Sequence, residues 1–274
     1  MELRDRVIVV TGGGSGIGEA LCHRAVADGA RHVVVADLIG DRARAVAESL
    51  GSATSPAEID VSDEEAIKAV VESTQAAHGP IDLFVSNAGY GRRGGVELPN
   101  DAFQKMWEVH VMSHVYAARA VLPSMIARGE GYLLNTASAA GLLTQMDSVV
   151  YAVTKHAAVG LAEWLSIAHH HQGIRVSVLC PQAVATNIVA SLGTEGGGTF
   201  GQAGQDGVLQ PADVAEACVQ AMRDERFWVL PHAEVATYVE RKAADVDRWL
   251  TGMRRFGSRL AGDNPLPGDW LVNG

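Results

Sequence analysis

The chain predicts a doubly wound α/β fold, a mostly parallel sheet with helices on both faces. Three observations carry that expectation. Short β-branched runs alternate with amphipathic segments along most of the chain, the pattern of parallel strands joined by helical crossovers. A glycine-rich turn, T-G-G-G-S-G-I-G, follows the first such run and leads into the first helix. The length of 274 residues, with 47% hydrophobic content and slightly positive mean hydropathy, suits one substantial core rather than two catalytic domains.

The elements follow in order. A strand at 7–10 is followed by a helix at 17–28, a strand at 33–36 and a helix at 41–50. Ile59 marks the third strand, 63–78 a helix, 81–86 an apolar strand, 101–128 one long helix and 132–136 a further strand. The helix carrying Tyr151 and Lys155 ends near His171, where Gly173 can supply a left-handed cap, and 175–179 is the next strand. Pro211 opens another helix, 227–230 makes the last strand, and 231–274 forms a C-terminal helical extension of a single domain spanning 1–274. Ligands of such sheets gather outside the carboxyl ends of the strands, at the switch in strand order.

Composition excludes several function classes. A formal net charge of -10 opposes a nucleic-acid partner, which needs a surplus of Lys and Arg. Cys22, Cys180 and Cys218 are odd in number and widely spaced, so neither a disulfide framework nor a zinc site is expected, and the compartment reads as reducing. Residues 1–6 lack the basic-then-apolar order of a secretory signal, and no apolar run reaches membrane-spanning length. The expectation is a cytoplasmic protein that acts on a small molecule, with no metal and no membrane partner.

Gly12, Gly16 and Gly18, with Ser15 and Ile17 between them, lie where a strand passes into a helix. Bare backbone there can approach a pyrophosphate while the helix N-terminus offers unpaired N–H groups, a Rossmann-like arrangement. Asp37 ends the second strand, nineteen residues after Gly18. A carboxylate there accepts ribose hydroxyls and repels a 2'-phosphate, favouring NAD over NADP. Arg42 would blur that preference, and Asp37 also reads as a helix cap before Gly40. Tyr151 and Lys155 are four residues apart on one helix face, with Ser138 thirteen positions upstream of Tyr151. An ammonium beside a phenol draws its pKa from near 10 toward working pH, where proton transfer is effective.

The glycine turn with Asp37, Asn87-Ala88-Gly89, Ser138, Tyr151-x-x-x-Lys155 and P-Q-A-V-A-T from Pro181 to Thr186 together resemble the short-chain dehydrogenase/reductase family in its compact form, over residues 7–230. The resemblance implies that Tyr151 is the acid/base, that Lys155 binds the nicotinamide ribose and lowers the tyrosine's pKa, and that Ser138 holds the substrate oxygen. It further implies adenine contacts from Asp60 and Val61, cofactor contacts from Asn87, Ala88 and Gly89, and nicotinamide contacts from Thr186 and the Val184 backbone. It implies an NAD(H)-linked oxidoreductase of secondary alcohols and ketones and a homodimer or homotetramer. Two positions depart from the pattern. Gln182 replaces a glycine, either facing the substrate or serving a different turn. His110 stands where the family has an asparagine that anchors a relay water, so it either holds that water or joins the relay, or is a helix histidine satisfied by backbone or solvent with the relay rerouted.

The segment 186–210 is glycine-rich and is expected to form a substrate lid. Tyr90, Leu142, Leu143, Met146 and Gln182 are candidate pocket walls, suggesting a mainly apolar substrate without a strongly anionic group. Arg92 and Arg93 either line the site mouth or belong to a solvated loop. His169, His170 and His171 point in different directions on a helix and suit its negative C-terminus better than a metal. The tail containing Trp270 packs on a neighbouring subunit or closes its own pocket. Two other functions compete with hydride transfer: a dinucleotide-sensing binding protein without turnover, and isomerase or dehydratase chemistry, for which the residues after Leu230 look too few.

Overall fold

A computed structural model describes residues 1–186, 201–269 and 271, so positions 187–200 of the expected lid, and Trp270, lie outside the described residues. The chain runs β1 (Val7–Thr11), α1 (Gly16–Ala27), β2 (His32–Asp37), α2 (Gly40–Leu50), β3 (Thr54–Glu58), α3 (Glu64–His78) and β4 (Leu83–Ser86). It continues through α4 (Asn100–Trp107), a π-helical turn (Glu108–Met112), α5 (Ser113–Arg128), β5 (Gly131–Thr136), α6 (Val149–His169) and β6 (Ile174–Leu179). We number the remaining elements α7 (Pro211–Arg223), β7 (Trp228–Val229), α8 (Glu234–Ala244) and α9 (Val246–Ala261).

The seven strands form one parallel sheet in the order β3-β2-β1-β4-β5-β6-β7. Both faces are covered, so alternate residues of a strand serve two cores. Val7 and Val9 join Phe84 and Leu133 under α3, α5 and α6, whereas Ile8 and Val10 join Leu83 and Tyr132 under α1, α2 and α7. The switch in strand order falls between β1 and β4. A third small cluster, buried Ala139, Leu143 and Val235 with Tyr238 and Trp249 packed on it, seats α8 and α9 against the loop after β5.

Two elements differ from the sequence reading. The third strand is 54–58 rather than Ile59, because an edge strand tolerates Pro56 and polar residues that do not look strand-like. The expected single helix at 101–128 is interrupted by the π-helical turn, which carries His110. Asp63 caps α3 and Gly173 takes the expected left-handed conformation (φ 82°) past the histidine run, while Gln210 and Asp213 form a capping box ahead of α7. His169 pairs with Gln172 through Nδ1 at 2.6 Å. The three cysteines are free and buried; burial raises their thiol pKa values, those of Cys22 and Cys180 to about 12. Among the described residues no helix is long and apolar enough to cross a membrane.

Gly18 shows how tightly α1 is set on the sheet. A Cβ there would lie 2.2 Å from the Gly12 carbonyl oxygen and 2.7 Å from Asn87 Nδ2. Gly18→Ala should therefore destabilise the fold by about 1–3 kcal/mol through overpacking against backbone. Gly252→Ala, on α9 with open space around it, should stabilise by about 0.5–1 kcal/mol. Urea midpoints of the two variants in parallel check both signs.

Candidate active site

The carboxyl ends of β1, β4 and β5 are stitched together before any cofactor contact is considered. Thr11 Oγ1 accepts from the backbone N–H groups of Asn87 (2.9 Å) and Ala88 (3.2 Å) and donates to the Val85 carbonyl (3.2 Å). Asn87 Nδ2 donates to the Thr11 carbonyl at 3.1 Å, and its Oδ1 accepts from Thr136 Oγ1 at 3.3 Å. Gly12 (φ +65°) makes this approach feasible, since a Cβ there would lie 2.9 Å from Ala88 Cα. Ser15 caps α1 without a side-chain hydrogen bond, and Ser15, Gly16 and Ile17 line a cavity of about 1620 Å³. At its far end Asp37 is oriented by two backbone donors: Gly14 N–H on Oδ2 and Ile39 N–H on Oδ1, both at 3.0 Å. Asp60, whose Oδ1 accepts from Ser62 N–H (2.9 Å) and Oγ (2.7 Å), lines the same end with Val61 and Arg42. These groups fit a dinucleotide: bare backbone and a helix N-terminus for phosphates, a fixed carboxylate for ribose.

Ser138, Tyr151 and Lys155 face the same cavity. Ser138 caps the short turn Ala139–Gly141, accepting from Ala140 N–H at 3.1 Å and donating to the Pro181 carbonyl at 3.4 Å. Ser148 starts α6 by accepting from Tyr151 N–H at 3.3 Å. Lys155 is 3% exposed; its Nζ donates to the Thr136 carbonyl at 3.0 Å and lies 5.6 Å from the Tyr151 ring centroid. Burial lowers the Lys155 pKa to about 8. The Tyr151 phenol is pushed up by burial and drawn down by a side-chain hydrogen bond from Ser138. Burial outweighs the pull of Ser138 on the phenol.

Residues 6–196 match the family model described as short chain dehydrogenase. The chain belongs to the short-chain dehydrogenase/reductase family. It is 33% identical over 258 residues to a 1-deoxy-11-beta-hydroxypentalenate dehydrogenase of Streptomyces exfoliatus, covering 92% of each protein. A short-chain dehydrogenase/reductase from Burkholderia phymatum, solved with NAD, superposes with a TM-score of 0.82 at 28% identity, covering 90% of this chain and 96% of that one. L-Sorbose reductase from Gluconobacter frateurii, solved with NADPH and L-sorbose, gives a TM-score of 0.75 at 28% identity, covering 84% and 95%. The coarse chemistry follows from the family: an oxidoreductase acting on hydroxyl groups with a nicotinamide dinucleotide.

The departure from the family pattern at His110 is resolved by its hydrogen bonds. The ring is fully buried and lies outside the cavity lining. Nε2 accepts from the Tyr90 backbone N–H at 3.2 Å, which places the proton on Nδ1, 3.0 Å from Thr154 Oγ1. Thr154 in turn donates to the Val150 carbonyl at 2.9 Å. With both nitrogens engaged, His110 pins the loop after β4 to α6, the arrangement expected of a histidine satisfied by its surroundings. Its pKa is held well below the usual value by burial, then by the charge of Lys155 and by His114. Sequence reasoning passed over His114, one helical turn on, which is fully buried with a pKa lowered to about 3 by burial and Lys155. It also passed over Thr11, Thr136 and Thr154; a hydroxyl at the end of a strand or in a helix carries no signal of its own.

The remaining candidates divide. Asn87, Ala88, Gly89, Pro181, Val184 and Thr186 line the cavity, as do Tyr90, Leu143, Met146, Gln182, Arg92 and Arg93. Gly18 and Leu142 do not: Gly18 packs on Gly12, and the Leu142 carbonyl takes the Lys242 ammonium at 2.6 Å. Gln182 Nε2 donates to Asp206 Oδ2 at 2.7 Å, and Tyr238 of α8 donates to the other Asp206 oxygen at 2.9 Å. The described ends of the expected lid are paired by Ala185 N–H on the Leu209 carbonyl (2.9 Å) and Leu209 N–H on the Ala183 carbonyl (3.1 Å). Leu250, Met253, Leu260 and Leu266 close the far wall, which places residues before Trp270 against their own pocket.

His114 stays neutral when folded and would charge when unfolded below about pH 6.5. Its folded pKa is the lower one, so its contribution to stability is complete above that pH and is lost as pH falls toward its folded value. The slope it adds is about 1.4 kcal/mol per pH unit. Denaturation of His114→Gln at a series of pH values between 6.5 and 4 should show a shallower acid loss of stability than the parent. An identical slope would refute the neutral assignment.

Proposed function

We propose that the protein interconverts a mainly apolar secondary alcohol and its ketone, using NAD(H) in preference to NADP(H), with Tyr151 as acid/base. The observation that carries this reading is the shared cavity, which joins the Asp37 end of the dinucleotide cradle to Ser138, Tyr151 and Lys155. The dinucleotide, when bound, accepts or supplies the hydride. The chain's own groups handle the proton and the geometry. Ser138, which lines the cavity together with Tyr151, would hold the substrate oxygen beside the phenol. Tyr151 takes the hydroxyl proton in the oxidative direction and returns it in the reductive one. Lys155, anchored on the Thr136 carbonyl, favours the phenolate that forms and offers its remaining N–H groups to a ribose.

The NAD preference rests on Asp37. Two backbone donors fix its carboxylate at the cavity end, where a 2'-phosphate would meet like charge. Arg42 at the same end is the opposing feature. NADH and NADPH fluorescence across a panel of secondary alcohols tests the proposal. Turnover should be faster with NAD, and Tyr151→Phe should lower kcat/KM by about 10²–10⁴-fold with little change in NADH affinity. Binding of NADH with no turnover on any alcohol would favour a dinucleotide sensor.

The proposal includes a homo-oligomer. Trp107 on α4 and Val153, Trp164 and Ile167 on α6 are 38%, 49%, 60% and 81% exposed. The three on α6 recur at helical spacing, and Trp107 and Val153 line one small groove. A second copy of the chain would cover this stripe. Sedimentation should find a dimer or tetramer, and Ile167→Glu should shift it toward monomer. A monomeric parent protein refutes this part.

A further inference from the structure

The substrate half of the cavity is bounded by cations that come from three separate elements. Arg92 and Arg93 lie in the loop between β4 and α4, Lys105 on α4 and Arg254 on α9, and all four line the cavity. Contacts tie three of them to the segment between Ser138 and Tyr151. Ser148 Oγ donates to the Arg92 carbonyl, and the Arg93 guanidinium lies 3.5 Å from Asp147 Oδ2. A Cβ on Gly257 would lie 3.1 Å from Met146 Sδ. Arg254 is three residues before Gly257 on α9 and shares that face.

The charge balance here is the reverse of the whole protein's. The chain carries a net -10, yet among the described residues the only carboxylate lining this half is Asp147, which pairs with Arg93 and with Gln145. Asp37 and Asp60 belong to the cradle end. Among the described residues Arg92, Lys105 and Arg254 make no ion pair. Between these cations the wall is mostly apolar, with Leu143, Met146, Leu250 and Met253, and carries Gln145, Gln202 and Ser258 as polar side chains. Like charges gathered around an apolar chamber repel one another and focus a positive field into it.

Resting on the proposed alcohol/ketone chemistry, we infer that the substrate is an amphiphile, an apolar body bearing the reacting hydroxyl or ketone and a separate anionic group of the carboxylate type, held at the rim with Arg254 as a specificity-determining residue. This revises the expectation of a substrate without a strongly anionic group. The apolar walls take the body, Ser138 and Tyr151 take the oxygen, and Arg254 takes the anion.

Calorimetry on the NADH-loaded protein tests the inference with two pairs of probes, 1-adamantanecarboxylate against 1-adamantanecarboxamide and decanoate against decanamide. Each pair has matched shape and differs in charge. In at least one pair the carboxylate should bind about tenfold more tightly, the size of one partly exposed charge-assisted contact. The preference should shrink with added salt and be lost in Arg254→Gln, whose NADH affinity should equal the parent's. Equal affinities within both pairs, failure of every carboxylate to bind, or a preference that survives in Arg254→Gln overturns the inference. The hydride-transfer reading fails separately: a carboxylate preference without turnover on any alcohol removes that reading alone, and turnover without the preference removes this one alone.

Discussion

Lys155 carries an ammonium group to a position that water barely reaches, and the arrangement of the catalytic end follows from how that charge is accommodated. A buried cation is costly unless hydrogen-bonded. Nζ finds the Thr136 carbonyl at the end of β5, so the strand and α6 are fixed relative to each other by the same contact that positions the ammonium. Burial still pulls the pKa down to about 8, which leaves the ammonium charged at neutral pH but ready to respond to a developing phenolate. The surroundings must then be neutral. His110 and His114 both have lowered pKa values in which the Lys155 charge takes part, and His110 spends its two nitrogens on Tyr90 and Thr154 instead of on a charge. Even Gly89 belongs to this packing: a side chain there would press within 3.2 Å of His110 Nε2 and 3.7 Å of Lys155 Nζ.

The fold supplies the other half of the condition. A switch in strand order between β1 and β4 opens a crevice at the carboxyl ends, and the crevice keeps its shape because Thr11 and Asn87 bond across it. The glycines of the first turn are required by that closeness, with Gly12 against Ala88 and Gly18 against Gly12. The cradle is therefore rigid backbone, while the substrate half is built from loops and from α9. One chamber joins a narrowly specified end to a variable one.

How much of this could be read from the chain depends on the kind of signal. Strand and helix order was legible because both faces of the sheet are buried and the strands are continuous β-branched runs. The cradle and the trio were legible because their chemistry demands particular residues at particular spacings. The edge strand β3 was not, since Thr-Ser-Pro-Ala-Glu carries no apolar alternation and its outer side needs none. The π-helical turn at 108–112 was hidden because one widened turn barely disturbs a helical pattern, and with it went the orientation of His110. The far wall was hidden for another reason. α9 is a strongly amphipathic helix with no fully buried residue, so its sequence reads as a surface helix whether its apolar stripe faces solvent or a cavity.

Gln182 shows how such a departure can be built into the structure. The family pattern has a glycine at this position, which has no side chain to reach anything. Here the amide extends to Asp206, whose second oxygen takes Tyr238 of α8, while the Gln182 backbone N–H donates to His232 at 3.2 Å. One carboxylate thus joins the loop after β6, the stem at the end of the expected lid and the C-terminal extension. Lys242 adds a second tie by donating to the carbonyls of Leu142 and Leu143 beside Ser138. α8 is held to the loop after β5 by directed hydrogen bonds as well as by the apolar cluster at Ala139, Leu143 and Val235, and α9 joins that cluster through Trp249. For the proposed chemistry, such a supporting shell would fix the loop beside Ser138, as a specificity surface requires.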